Sequence, residues 1–131
     1  MSVRARRPVP RRRAAPRWTA EDWAVANQVL LRRSKGRCEC CGEPLNGRAE
    51  RHHRKRRRDG GDRLANIILL LPHHHMRVTV NPRWAEERGL IVLVERDVLA
   101  DPVWWQGKRW VLLDDDGGIT DVDGLLPPVL L

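Results

Sequence analysis

Phenylalanine and tyrosine are absent from the chain, and six tryptophans carry all of its aromatic content. A core built from it takes its volume mostly from Leu, Ile, Val and Trp. Lysine is nearly as scarce: only Lys35, Lys55 and Lys108 stand among 25 basic residues, which face 17 acidic ones for a formal net charge of +8. Arginine offers phosphate a planar, bidentate donor fork, so an arginine surplus points to a nucleic-acid partner as readily as to a merely soluble basic protein. No run approaches the roughly 20 apolar residues that a bilayer-spanning helix needs, and the N-terminus has no apolar signal core. A cytoplasmic protein with no membrane role is the expectation. Three cysteines within CECC at 38–41 cannot staple a disulfide framework. In a reducing compartment such clustering means metal more often than redox chemistry. A redox CxxC opens a helix, whereas the Gly and Pro of RCECCGEPLNG predict a turn.

What is present fits one core with tails, given 131 residues. Residues 1–17 hold seven Arg and three Pro and read as a disordered basic arm, either a solubilising tail or a source of phosphate contacts. From Trp18 the pattern changes. Thr19 as N-cap, Asp22 three residues later, Trp23, Ala26 and Leu30 at helical spacing, and Lys35-Gly36 at the end predict a helix of about four turns. A short strand is expected over 48–54, then a polar loop with a Gly-Gly bend, then a buried IILLL segment ending at Pro72. A helix beginning there should be short, because Val78, Thr79 and Val80 are β-branched and Asn81-Pro82 stops it. PRWAEERG predicts a further short helix with Pro82 in its first turn and Gly89 at its C-cap. Beyond it, apolar runs alternate with turn signals, with QGKR as a hairpin bend. The tryptophans are expected in core or rim packing, with base stacking open to one exposed member. The last residues, 121–131, form either a loose tail or a docking strand.

All five histidines lie in two clusters, His52-His53 and His73-His74-His75, separated by a segment that carries Asn66. Scattered structural histidines would not distribute themselves this way. A metal-dependent nuclease needs a cation for the charge on phosphate, a base for the attacking water and a brace for that base. Neutral imidazole is a common metal ligand, and its pKa near ~6.5 suits a general base.

The stretch RHHRKRRRDGGDRLANIILLLPHHHMRVTVNP resembles the HNH endonucleases, whose site is a ββα-metal hairpin, and in particular small phage-type members from actinobacterial hosts. The similarity extends over roughly residues 17 to 120. It implies an α+β fold: a small HNH domain at 18–120 with flanking helices and a C-terminal β-hairpin region. Matched residue by residue, it implies His52 and His75 as ligands of a divalent cation (Mg2+, Mn2+, Ni2+ or Zn2+), His53 as general base and Asn66 as the loop brace. Thr79 stands where many members have a further histidine, leaving two protein nitrogens for the metal. Relatives also carry a zinc knuckle of two CxxC pairs. Here the first pair is Cys38 and Cys41, while the second falls on Leu71 and His74. The knuckle therefore holds structural zinc through Cys38, Cys41 and His74 with Cys40 or His73 as substitute ligand, or holds no metal. Arg54, Lys55, Arg56, Arg57 and Arg58 become a clamp on the DNA backbone, with Arg54 best placed for the scissile phosphate. The implied activity is hydrolysis of DNA phosphodiesters, in phage genome processing beside the terminase packaging machinery. The alternative is a DNA-binding module that has lost turnover.

Overall fold

The computed structural model describes residues 15–129. The basic arm over 1–14 and the last two residues of the tail lie outside the described residues. Helix α1, Ala20–Ser34, begins in a full capping box: the Thr19 side chain accepts from the Asp22 backbone N–H, and the Asp22 carboxylate accepts from that of Thr19. It ends at Lys35 in the left-handed region, followed by Gly36. Its buried face carries Ala26, Leu30, Arg33 and Ser34. The expected turn follows, with Cys38 N–H donating to the Glu43 carbonyl (2.8 Å) and Gly42 N–H to the Cys38 carbonyl (2.8 Å).

Strand β1, Glu50–His53, pairs antiparallel with β2, Ile67–Leu70, placing His52 opposite Ile68 and His53 opposite Ile67. All four β2 residues are buried, whereas Glu50 and Arg51 on β1 are exposed. β1 is thus the outer strand of a two-stranded sheet. The connection is more ordered than a loop: it contains a helical turn, α2 (Arg57–Gly60), and a 3-10 turn at Leu64–Asn66. Helix α3, Pro72–Val80, passes through all three β-branched residues before stopping at Asn81. Val78 is 1% exposed, and burial against the core outweighs the small helix penalty of its branched side chain. Helix α4, Pro82–Glu87, follows directly. Gly89 has φ 70°, and a Cβ there would strike the Pro102 carbonyl, so only glycine suits this turn.

The apolar run LIVLVERD forms no strand; it is irregular chain that buries Leu90 and Val92. Beyond it β3 (Val103–Trp105), β4 (Arg109–Leu113) and β5 (Ile119–Asp121) make a three-stranded antiparallel sheet. The expected bend joins β3 to β4, with Gln106 and Gly107 both at positive φ. Among its described residues the tail adds no strand beyond β5, but the Trp110 indole N–H donates to the Leu126 carbonyl (2.8 Å) and Arg88 to that of Val129 (2.5 Å). At the other end, Asp62 N–H donates to the Pro16 carbonyl (2.6 Å), so the attached chain begins before Trp18. One buried ion pair sits inside the core: Arg33 grips Glu39 through two hydrogen bonds (2.7 and 2.9 Å), and the Glu39 carboxylate accepts from Leu69 N–H. The pair welds α1 and the cysteine turn to β2. Among the described residues, no helix is long and apolar enough to cross a membrane.

Candidate functional site

Alternation along β1 sends Glu50 and His52 to one face and Arg51 and His53 to the other. On the first face the His52 ring lies 5.3 Å from that of His75 on α3, centroid to centroid. His52 Nε2 is 2.7 Å from the Leu90 carbonyl, which can only accept, so Nε2 carries the proton and Nδ1 keeps its lone pair. Burial pushes the pKa of this ring down to about 4. His75 Nδ1 lies 2.9 Å from Glu50 Oε1, which leaves Nε2 for a ligand when the ring is neutral. A carboxylate on the far nitrogen is the usual way to orient a metal-binding imidazole. Two imidazoles sharing a cation at ~2.1 Å place their centroids roughly 5 Å apart, a spacing close to that of this pair. Thr79 contributes nothing here: its hydroxyl donates back to the His75 carbonyl of its own helix (3.1 Å).

The neutral state of His52 has a measurable consequence. When unfolded, the ring titrates near 6.5; when folded, near 4, so between those values the unfolded chain binds the extra proton. Stability present above pH 6.5 is therefore lost as pH falls toward 4. In metal-free buffer the melting temperature should drop across that interval, and His52→Gln should show a shallower drop; parallel slopes would contradict it.

The opposite face holds His53. Its Nε2 is 2.8 Å from Asp62 Oδ1, and Trp23 stands edge-on at 6.2 Å. The structure therefore brings His52 and His75 together and puts His53 across the strand from them. Asp62 is 2% exposed and also accepts from Arg57 Nε (3.1 Å) and from Trp18 N–H (2.8 Å). The bond from His53 and the other donors hold its carboxyl below the usual range against the effect of burial. Asn66 is fully buried; its Oδ1 accepts from Lys55 N–H (2.8 Å), and its Nδ2 donates to the Lys55 and Gly61 carbonyls (3.0 and 2.9 Å). A Cβ at Gly60 would stand 2.7 Å from that Nδ2. Asn66 thus ties the chain just after His53 to the Gly-Gly bend.

Arg54 corrects an expectation. It is 1% exposed, and its guanidinium donates to four carbonyls: Gly89 (2.8 Å), Ala65 (3.0 Å), Val98 (3.0 Å) and Asp101 (2.8 Å). Burial lowers its pKa to about 10, which leaves it charged at neutral pH. It is a core tie and cannot reach a phosphate. Its position shows why: along the Glu50, His52, Arg54 face burial deepens from exposed through half-buried to buried, so Arg54 enters the core. Lys55 is half-buried with Nζ on the Val94 carbonyl (3.0 Å), whereas Arg56, Arg57 and Arg58 are exposed. Arg51, which the sequence did not single out, is exposed and lies 4.0 Å over the Trp23 ring. Glu50 and Asp62 were missed as well; no motif or periodic pattern announces either.

A second cluster lies behind α3. The ligand atoms of Cys38, Cys41 and His74 all fall within 4.8 Å of one another, the only such group of three His, Cys, Asp or Glu side chains among the described residues. This group could hold a metal ion. The sulfurs already accept amide hydrogen bonds, Cys38 from Leu71 N–H (3.5 Å) and Cys41 from Glu43 N–H (3.4 Å), as suits thiolates under a cation. Burial pushes the metal-free Cys41 thiol up to about 11 and that of Cys40 to about 12. Leu71 is buried and apolar. His73 is exposed.

No family model, curated protein or solved structure matches the chain.

Proposed function

We propose that the chain is a metal-dependent DNA endonuclease of the HNH type. The observation that carries this reading is the His52–His75 pair with Glu50 behind it, set on a strand, strand and helix whose connecting loop Asn66 braces. His52 Nδ1 and His75 Nε2 would hold a divalent cation. When bound, that cation supplies charge stabilisation at the phosphate and the leaving oxygen.

The remaining work falls to the protein's own groups. Among the described residues β1 pairs with β2 alone, and its Glu50 and Arg51 are exposed, so a DNA strand could approach that part of it. A backbone crossing there would have the His52–His75 face on one side of a phosphate and His53 on the other, as in-line displacement needs. With Asp62 accepting from Nε2–H, the lone pair of His53 lies on Nδ1, the nitrogen able to take a proton from water. Exposed Arg51, Arg56, Arg57 and Arg58 can pair with flanking phosphates.

Plasmid DNA incubated with Mg2+, Mn2+, Ni2+ or Zn2+, beside a chelator control, tests the reading. Cleavage should require metal, and His53→Ala should lower it by at least about 10²-fold while DNA binding stays near wild type. Wild-type turnover in that variant would remove His53 from the base role. Binding without cleavage in every metal would favour a non-catalytic DNA-binding module, the reading that the turned-back Thr79 hydroxyl suits.

A further inference from the structure

A structural zinc site usually has four protein ligands, and Cys38, Cys41 and His74 supply three. Leu71 lies beside them with its N–H on Cys38 Sγ, but its side chain has no donor atom. Two neighbours remain. His73 is exposed and packs its ring on that of His74, centroids 4.1 Å apart, so it already occupies the solvent side of that ligand. Cys40 is half-buried, and its Sγ lies 3.9 Å from His74 Nδ1. Sulfur and nitrogen bound to one tetrahedral zinc stand about 3.6 Å apart, given Zn–S ~2.3 Å and Zn–N ~2.05 Å. Cys40 Sγ stands outside the group formed by the other three ligand atoms, so its side chain has to turn toward Cys38 and Cys41 to join them.

We propose that Cys40 is the fourth zinc ligand, so that CECC gives three thiolates and α3 gives one imidazole. The surroundings permit the movement. A cavity of about 510 Å³ opens beside Cys40, Cys41 and His74, giving the Cys40 side chain room to turn. Zinc with three thiolates carries a net charge of −1, and Arg77, Arg88 and Lys108 line the same cavity. Their positive charge offsets a charge that would otherwise be costly to hold in a half-buried place. The closed site would pin the cysteine turn to the first turn of α3, one residue before His75. Zinc here is therefore a structural tie, with no open position for chemistry.

The test uses the full chain, stripped by chelator and then titrated with Zn2+ or Co2+. Wild type should bind one ion tightly at this site, and zinc should shield all three thiols from alkylation, as read by mass spectrometry on wild type alone. Cys40→Ser should weaken zinc binding by at least about 10-fold. Its sulfur-to-cobalt charge-transfer band should fall by about a third, since three thiolates become two. Adding Leu71→Cys to Cys40→Ser should restore both. A Cys40 thiol that alkylates freely in the zinc-loaded wild type would overturn the proposal, as would unchanged affinity in Cys40→Ser or a wild type that takes up no zinc. Melting both proteins in chelator separates ligand loss from misfolding, because the two should then agree. The inference stands apart from the nuclease reading: a zinc-loaded protein that never cuts DNA leaves it intact.

Discussion

Arg54→Leu should yield a chain that no longer melts cooperatively, or melts far below wild type. The guanidinium satisfies carbonyls from the 3-10 turn, from the turn after α4 and from the irregular 91–101 segment. Leucine fills part of the volume and leaves four acceptors without a donor. Removing the partner of buried polar groups costs about 3–5 kcal/mol, a large share of the 5–15 kcal/mol that typically holds a domain together. Circular dichroism melts would register it. A variant that stays within a few degrees of wild type would mean that water replaces the guanidinium, and that the tie is weaker than its four bonds imply. The same experiment separates a core role from DNA binding, since a phosphate-contacting arginine would leave the melt unchanged and weaken only the complex.

His75→Ala should have the opposite profile: cleavage lost, fold kept. The ring is partly exposed and its bonded partner Glu50 is exposed too, so truncation leaves no buried group unsatisfied. One of the two nitrogens available to the cation disappears, and with only His52 left, metal-dependent turnover should fall below detection. His73→Ala should change neither property. His74→Ala should lower the melting temperature of zinc-loaded protein and reduce cleavage only as the fold loosens. A stable, inactive His74 variant beside an active His75 variant would show that the cation sits on the other side of α3.

Elements with local signals are legible in the amino-acid sequence alone. The Thr19–Asp22 capping box marks the start of α1, Lys35-Gly36 its end, and Asn81-Pro82 the break between α3 and α4. Successive residues on a helix are rotated by about 100°, which is why His74 and His75 can face different partners. What escapes such reading is charge in the core. Arg33, Glu39, Arg54 and Asp62 are all buried, and composition treats such residues as surface. Their partners are remote: Arg33 reaches carbonyls at Leu64 and Ile67, and Arg54 reaches as far as Asp101. No local pattern encodes those meetings. Only the alternation from Glu50 through His52 to Arg54 offers a hint. The aliphatic stems of Arg33 and Arg54 add to the packed volume of that core.

The reach of those contacts also bears on how quickly the chain finds its structure. Arg54 bonds span 35, 44 and 47 residues, and the bond from Gln106 to the Ser34 carbonyl spans 72. Each requires a long loop to close before it returns any free energy. α1 can form within about a microsecond of collapse, whereas sequence-distant contacts of this kind slow folding by orders of magnitude. Ties that form after the rate-limiting step act mainly on the return path. Arg54→Lys, which keeps the charge and gives up the fork, should therefore accelerate unfolding in denaturant jumps and leave the refolding rate nearly untouched. The lifetime of the folded chain, more than its speed of assembly, would then depend on that one guanidinium.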